Sequence, residues 1–312
     1  MTKPYKSVTD QLAILKSRGL TIEDDDAALH YLLYNNYYNV INHYGRFFQV
    51  APDRYIEGAS FNEIRYLFQF DKEMKSLFFK YSIDIEKNLK SLISYYYSES
   101  YRQPHSYLNP QNYQDAYSSD TIKCVYLLAA LLKKHSESRT DNAVKHYSIC
   151  HNDVPLWVLT NEMSFGLTNS FFKNMPLSIQ NKVARCFSSD YAIEYGSSLL
   201  LTPDAAWKCL CSIQELRNTC GHNNRLLNHS FRQSLPYIPA LYPDDYDSNS
   251  PRRSVYDTYL CMSIFMKKEQ FNNLTKAIRK RMKNTLRNKL HSISYREILK
   301  SMGFPEDWLG QA

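Results

Sequence analysis

The chain has 312 residues, 44% of them hydrophobic and 22% charged, which suits a globular protein with a sizeable core and excludes a disordered one. Glycine occurs only 8 times, so a glycine-rich phosphate loop is excluded and the composition leans helical. The formal charge of +7 is uneven: residues 252–300 carry 13 Lys/Arg against 3 Asp/Glu, leaving −3 for the rest, and such a basic end points to a polyanion or an acidic membrane face.

In chain order, the N-terminus MTKPYKSVTD has no apolar export segment. Val8, Leu12, Ile14 and Leu15 predict a helix over 7–18, with Gly19 as its stop. Asp24, Asp25 and Asp26 suit the positive end of a second helix, and are read that way rather than as metal ligands. An aromatic stretch, Tyr31 to Phe48, follows. From Phe61 to about Tyr97 no Pro or Gly interrupts a stripe of Leu67, Phe70, Met74, Leu77, Phe78, Tyr81, Ile85, Leu89 and Leu92, which predicts one long helix or two with a small bend between them.

Residues 98–120 read as a long tyrosine-rich loop. Helices are expected near 120–137, 155–173 and 176–187, and another from Pro203 through His222 to about Leu227. Trp157 and Phe165 are expected in the core, and Glu86 and Glu162, set among apolar neighbours, each need a basic partner. The 26 tyrosines are read mainly as packing residues that keep the hydroxyl satisfied, although an exposed one can stack on an unpaired base. Residues 232–253 form a proline-rich loop, whose Asp244, Asp245 and Asp247 are read as solvated rather than metal-binding. Beyond it, Phe271, Leu274, Ile278, Met282, Leu286 and Leu290 make an apolar stripe. Lys280, Arg281, Lys283, Arg287 and Lys289 fall largely elsewhere on the wheel, which suits a helix with one face for the body and one for phosphate, a plainly solvated face being the alternative.

Seven cysteines, at 124, 150, 186, 209, 211, 220 and 261, include no CxxC pair, so reduced thiols in a cytoplasmic protein are expected. The longest apolar run, Cys124 to Leu132, is too short to span a bilayer, and no membrane association is expected. Walker-type, dinucleotide-binding, zinc-protease and serine-hydrolase signatures are missing, and no metal or cofactor is expected.

What remains is Glu215-Leu216-Arg217-Asn218-Thr219-Cys220-Gly221-His222-Asn223-Asn224-Arg225. At about 100° per residue, His222 and Arg225 fall within roughly 40° of Asn218 on a continuous helix, while Arg217 lies about 100° to the side. A histidine can exchange a proton with a ribose 2′-hydroxyl or a leaving oxygen, and an arginine can hold the phosphate between them. The spacing alone arises by chance about half a time in a chain of this composition. A plain alternative stands beside it: a buried Arg217 paired with Glu215 or another acid, with His222 capping a helix end.

RNTCGHNNRLLN resembles the RN-x3-H motif of HEPN-domain ribonucleases, and in its setting the Abi family of abortive-infection proteins, the AbiD/AbiF-like group. KPYKSVTDQLAILKSRGL, NNYYNVINHYGRFF, FDKEMKSLFFKYSIDIEKNLKS, PLWVLTNEMSFGLTNSFF and the ending SMGFPEDW are similar to blocks of that family in the same order. The resemblance implies an all-α fold, a multi-helix HEPN-like bundle with additional N- and C-terminal helices. It divides the chain into a helical body over 1–231 that carries the motif, the loop 232–253, and a basic helical segment over 254–312. It also implies a prokaryotic, toxin-like defence protein against phage that cuts RNA without metal. Arg217 and His222 would be the catalytic pair and Asn218 their support, in a homodimer because each chain holds one motif. Arg225, Lys280, Arg281, Lys283, Arg287 and Lys289 are the expected RNA contacts, and a structured noncoding RNA is an implied partner. The alternative is a non-catalytic RNA-binding defence module, and a third class is a membrane-surface effector recruited by the basic helix.

Overall fold

The computed structural model describes residues 5–222, 224–243 and 246–310. The fold is all-α: twelve α-helices and several single turns, with one two-stranded hairpin, are found among the described residues. None of these helices is long and apolar enough to cross a membrane. The chain forms two compact units that are not consecutive in sequence. Unit 1 comprises residues 1–78, 219–230 and 273–312, and unit 2 comprises residues 79–218 and 231–272.

Unit 1 opens with α1 (Val8–Ser17) and α2 (Asp25–Asn35). Ser7 and Asp10 close a capping box on α1, and Gly19 turns the chain at a φ of +88° that only glycine adopts freely. Asp24 caps α2 by accepting the Ala27 N–H, and Asp25 and Asp26 lie in the first turn of that helix. The hairpin pairs β1 (Gln49–Ala51) with β2 (Arg54–Tyr55), Gln49 opposite Tyr55. Next comes the first part of α3 (Phe61–Ser100), whose Ile64, Leu67, Phe70 and Met74 are fully buried. The C-terminal part of the unit takes the later turns of α11 (Lys268–Arg281), a π-turn at Met282–Arg287 and α12 (Tyr295–Ser301). Leu274, Ile278, Met282, Leu286 and Leu290 are all buried, as their spacing predicts.

Unit 2 holds the rest of α3, then α4 (Ser119–Ser136), α5 (Ala143–His151), α6 (Leu156–Leu159), α7 (Phe165–Asn174), α8 (Leu177–Tyr195), most of α9 (Pro203–Gly221) and α10 (Val255–Met262). The loop between α3 and α4 is ordered by its tyrosines. Tyr107 donates to the Val154 carbonyl at 2.7 Å and Tyr113 to the Tyr107 carbonyl at 2.5 Å, so both rings are buried with their hydroxyls satisfied.

Three local expectations are corrected. The helix expected over 155–173 is interrupted, because the Ser164 side chain accepts the Leu167 N–H and starts α7 afresh. Trp157 is 55% exposed rather than core: α6 is a single turn that turns Leu156, Val158 and Leu159 inward and leaves the tryptophan outside. The helix expected to reach Leu227 ends at Gly221, the Asn224 N–H closing back on the Thr219 carbonyl at 3.0 Å. Phe165 is buried as expected, α8 runs beyond its expected end to Tyr195, and Gly196 terminates it at a φ of +69°.

Candidate functional site

Arg217 and Asn218 lie near the end of α9, in unit 2. The Arg217 guanidinium sits 5.5 Å from the Phe79 ring centroid, close enough for a cation–π contact, and its Nη1 donates to the Asn218 side-chain oxygen at 3.1 Å. Its Nε is buried without a hydrogen-bond partner, and no described carboxylate pairs with it. Glu215 instead accepts the Arg232 N–H at 3.3 Å. The plain alternative of an arginine neutralised by a neighbouring acid therefore does not describe this residue. A half-buried cation held by a ring and an amide keeps most of its donor capacity for an incoming anion.

His222 follows the last residue of α9 and belongs to unit 1. It is exposed, and its ring makes no hydrogen bond to a described residue. Because the helix stops at Gly221, the wheel that placed Arg225 beside Asn218 and His222 does not apply. Arg225 donates its Nη1 to the His43 carbonyl at 2.7 Å, still in unit 1. Its positive charge, after burial, holds the His43 imidazole below the usual histidine range. Cys220 is no nucleophile at neutral pH, since burial pushes its thiol up to about 12.

The segment after the motif is fastened by a residue whose role sequence reasoning missed. Asp71, fully buried in α3, accepts the Leu226 N–H at 3.0 Å, the Tyr44 hydroxyl at 2.7 Å and the Lys75 ammonium at 3.0 Å. Burial first and then the Asp71 charge push the Tyr44 phenol far above its usual range, so it stays a neutral donor. The available signal was an Asp and a Lys four apart beside an apolar stripe, a pattern that demands mutual pairing if buried.

Of the basic residues, Lys280, Lys283, Arg287 and Lys289 are exposed. Arg281 is half-buried, near Glu73 at 3.5 Å and donating to the Ala277 carbonyl. Lys289 lies 4.5 Å from the Tyr66 ring centroid. Glu86 pairs with Lys90 at 2.8 Å and Glu162 faces His135 at 3.4 Å, the basic partners each was expected to need. Asp244 and Asp245 lie outside the described residues, and Asp247 spends its carboxylate on Asn249 and Ser250. No group of three or more metal-ligating side chains occurs among the described residues.

A family model for Abi-like proteins matches residues 30–228, well over half of the chain. The chain belongs to the Abi-like protein family. No curated protein and no solved structure matches it significantly. In this Abi-like protein the matched span takes in α3 through α9 and the whole Arg217–His222 motif, and closes at Asn228 just after it. The basic residues from Lys280 to Lys289 lie beyond that span.

Proposed function

We propose that this Abi-like protein defends against phage by abortive infection, acting as a metal-independent, HEPN-type endoribonuclease of the AbiD/AbiF-like kind. The observation that carries the reading is Arg217: a guanidinium held by Phe79 and Asn218, facing no described acid, five residues before an exposed histidine. His222 takes the proton of a ribose 2′-hydroxyl, whose oxygen then attacks the adjacent phosphorus while the bond to the 5′-oxygen breaks. The leaving oxygen is protonated by His222 of a second copy. Arg217 stabilises the charge that gathers on the non-bridging oxygens, and Asn218 keeps the guanidinium in place.

One motif per chain makes the active form a homodimer. Its RNA lies in the cytoplasm, and the exposed Lys280, Lys283, Arg287 and Lys289 give its phosphates a landing strip, with Arg281 at the edge. Arg225 joins them only through the guanidinium nitrogens that His43 does not occupy. A structured noncoding RNA is the partner this surface suits.

One observation favours a second reading, a non-catalytic RNA-binding defence module: within a single chain no described residue hydrogen-bonds the His222 ring and fixes its orientation. Chelator-treated protein separates the two when given an RNA and the same sequence with 2′-deoxy sugars. Cutting of the RNA alone, with the deoxy version intact, supports the nuclease. Tight binding of RNA without cutting supports the binding module.

A further inference from the structure

We infer that a cleft in unit 2, walled by α4, α7 and α9, is a subsite for one nucleotide of a single-stranded RNA; the inference rests on the reading of this protein as one that acts on RNA. The cleft has a volume of about 720 Å³, ample for a nucleotide. Its α9 wall presents Trp207, Cys211 and Gln214. Their spacing of four and three puts them on one helix face, and Asn218 continues that face one turn, about 6 Å, further along. A strand that passes the motif therefore has a neighbouring nucleotide beside this cleft.

Each part of a nucleotide meets suitable chemistry. The Lys173 ammonium stands 4.3 Å from the Trp207 ring centroid, and the one described carboxylate paired with it, Asp120, is 3.8 Å away, the two side chains 47% and 65% exposed. So loose a pair gives way readily to a phosphate. Lys123 and Lys134 bring two further positive charges to the same lip, while Glu162 is engaged by His135.

At the inner end an amide is fixed in one orientation. Asn169, 2% exposed, donates its Nδ2 to the Gln214 Oε1 at 2.8 Å and to the Leu210 carbonyl at 3.2 Å. With its oxygen so engaged, Gln214 is left with Nε2 as its free donor, and the buried Asn169 Oδ1 also has no partner. A base edge rich in carbonyl and ring-nitrogen acceptors matches that donor, and unpaired bases are the ones whose edges are open to it. Gly166 makes the fit: a Cβ there would stand 3.1 Å from the Gln214 Nε2.

The test is equilibrium binding of a labelled single-stranded oligoribonucleotide, in chelator, over a range of salt. Lys173→Gln alters a side chain 47% exposed and leaves folding intact. It should weaken binding about fivefold and lower the slope of log K against log salt by about 0.7, the loss of one phosphate contact. Gln214→Ala and Gly166→Ala should weaken binding while leaving the slope unchanged. Wild-type RNA binding that all three variants retain overturns the subsite and leaves the RNA reading standing. A wild type that binds no RNA overturns both. A free nucleoside monophosphate that binds as tightly as the oligonucleotide overturns the assignment to a strand.

Discussion

Asp71 satisfies a tyrosine hydroxyl, a lysine ammonium and a backbone N–H at once, and the last of these belongs to Leu226, four residues beyond His222. Replacing it by alanine leaves the Lys75 ammonium, 6% exposed, without its carboxylate and the Leu226 N–H without an acceptor. Removing one partner of a buried pair costs about 3–5 kcal/mol. Denaturant unfolding of Asp71→Ala should show a loss of that size. A change below about 1 kcal/mol, the scale of an ordinary surface substitution, would contradict the role given to this carboxylate. The same residue explains a limit of legibility. Arg217 and His222 could be picked out by their spacing and residue types, but the end of α9 depends partly on a bond across 155 residues of sequence, which no local pattern encodes. Arg225 was misplaced for that reason.

Among the elements, the start of α3 shows how one side chain can fasten a distant segment. Glu63 forms a capping box with Ser60 and also accepts the N–H groups of His291 and Ser292, at 2.7 and 2.8 Å. Burial alone would raise its carboxyl, but the hydrogen bonds from Ser292, His291 and Ser60 outweigh it and hold the group below the usual glutamate value of 4.5. A lowered folded value means that the charged form stabilises the fold. That contribution is present above the unfolded value and fades as the pH falls from about 4.5 through the folded one. Glu63→Gln should lose about 1–3 kcal/mol near neutral pH and show a shallower decline between pH 5 and 3 than the wild type. An unchanged acid limb would contradict this assignment. The buried stripes of α3 and of the C-terminal segment were legible because helical periodicity alone sorts their faces. Trp157 was not, since a one-turn helix carries too few residues for a period to show. The cleft was hidden in another way: Lys173, Gln214 and Gly166 look unremarkable until α7 and α9 lie together.

For the whole molecule, composition already spoke of a helical protein with a basic end, and the described residues bear out the all-α class. The family match covers the motif and stops short of the basic segment. The two therefore carry separable tasks in this account, chemistry at Arg217 and His222 and attraction of RNA along Lys280 to Lys289. A net excess of 10 positive charges over residues 252–300 favours a polyanion regardless of its sequence, so RNA choice must come from elsewhere on the protein. The central claim is that Arg217 and His222 cut RNA. The most direct measurement is the rate of RNA cleavage in chelator by wild type, Arg217→Ala and His222→Ala at matched folding. The account predicts a wild-type rate that each substitution lowers by at least about 100-fold, the scale of an acid–base or charge-stabilising group. Cleavage that persists undiminished in both variants would contradict it.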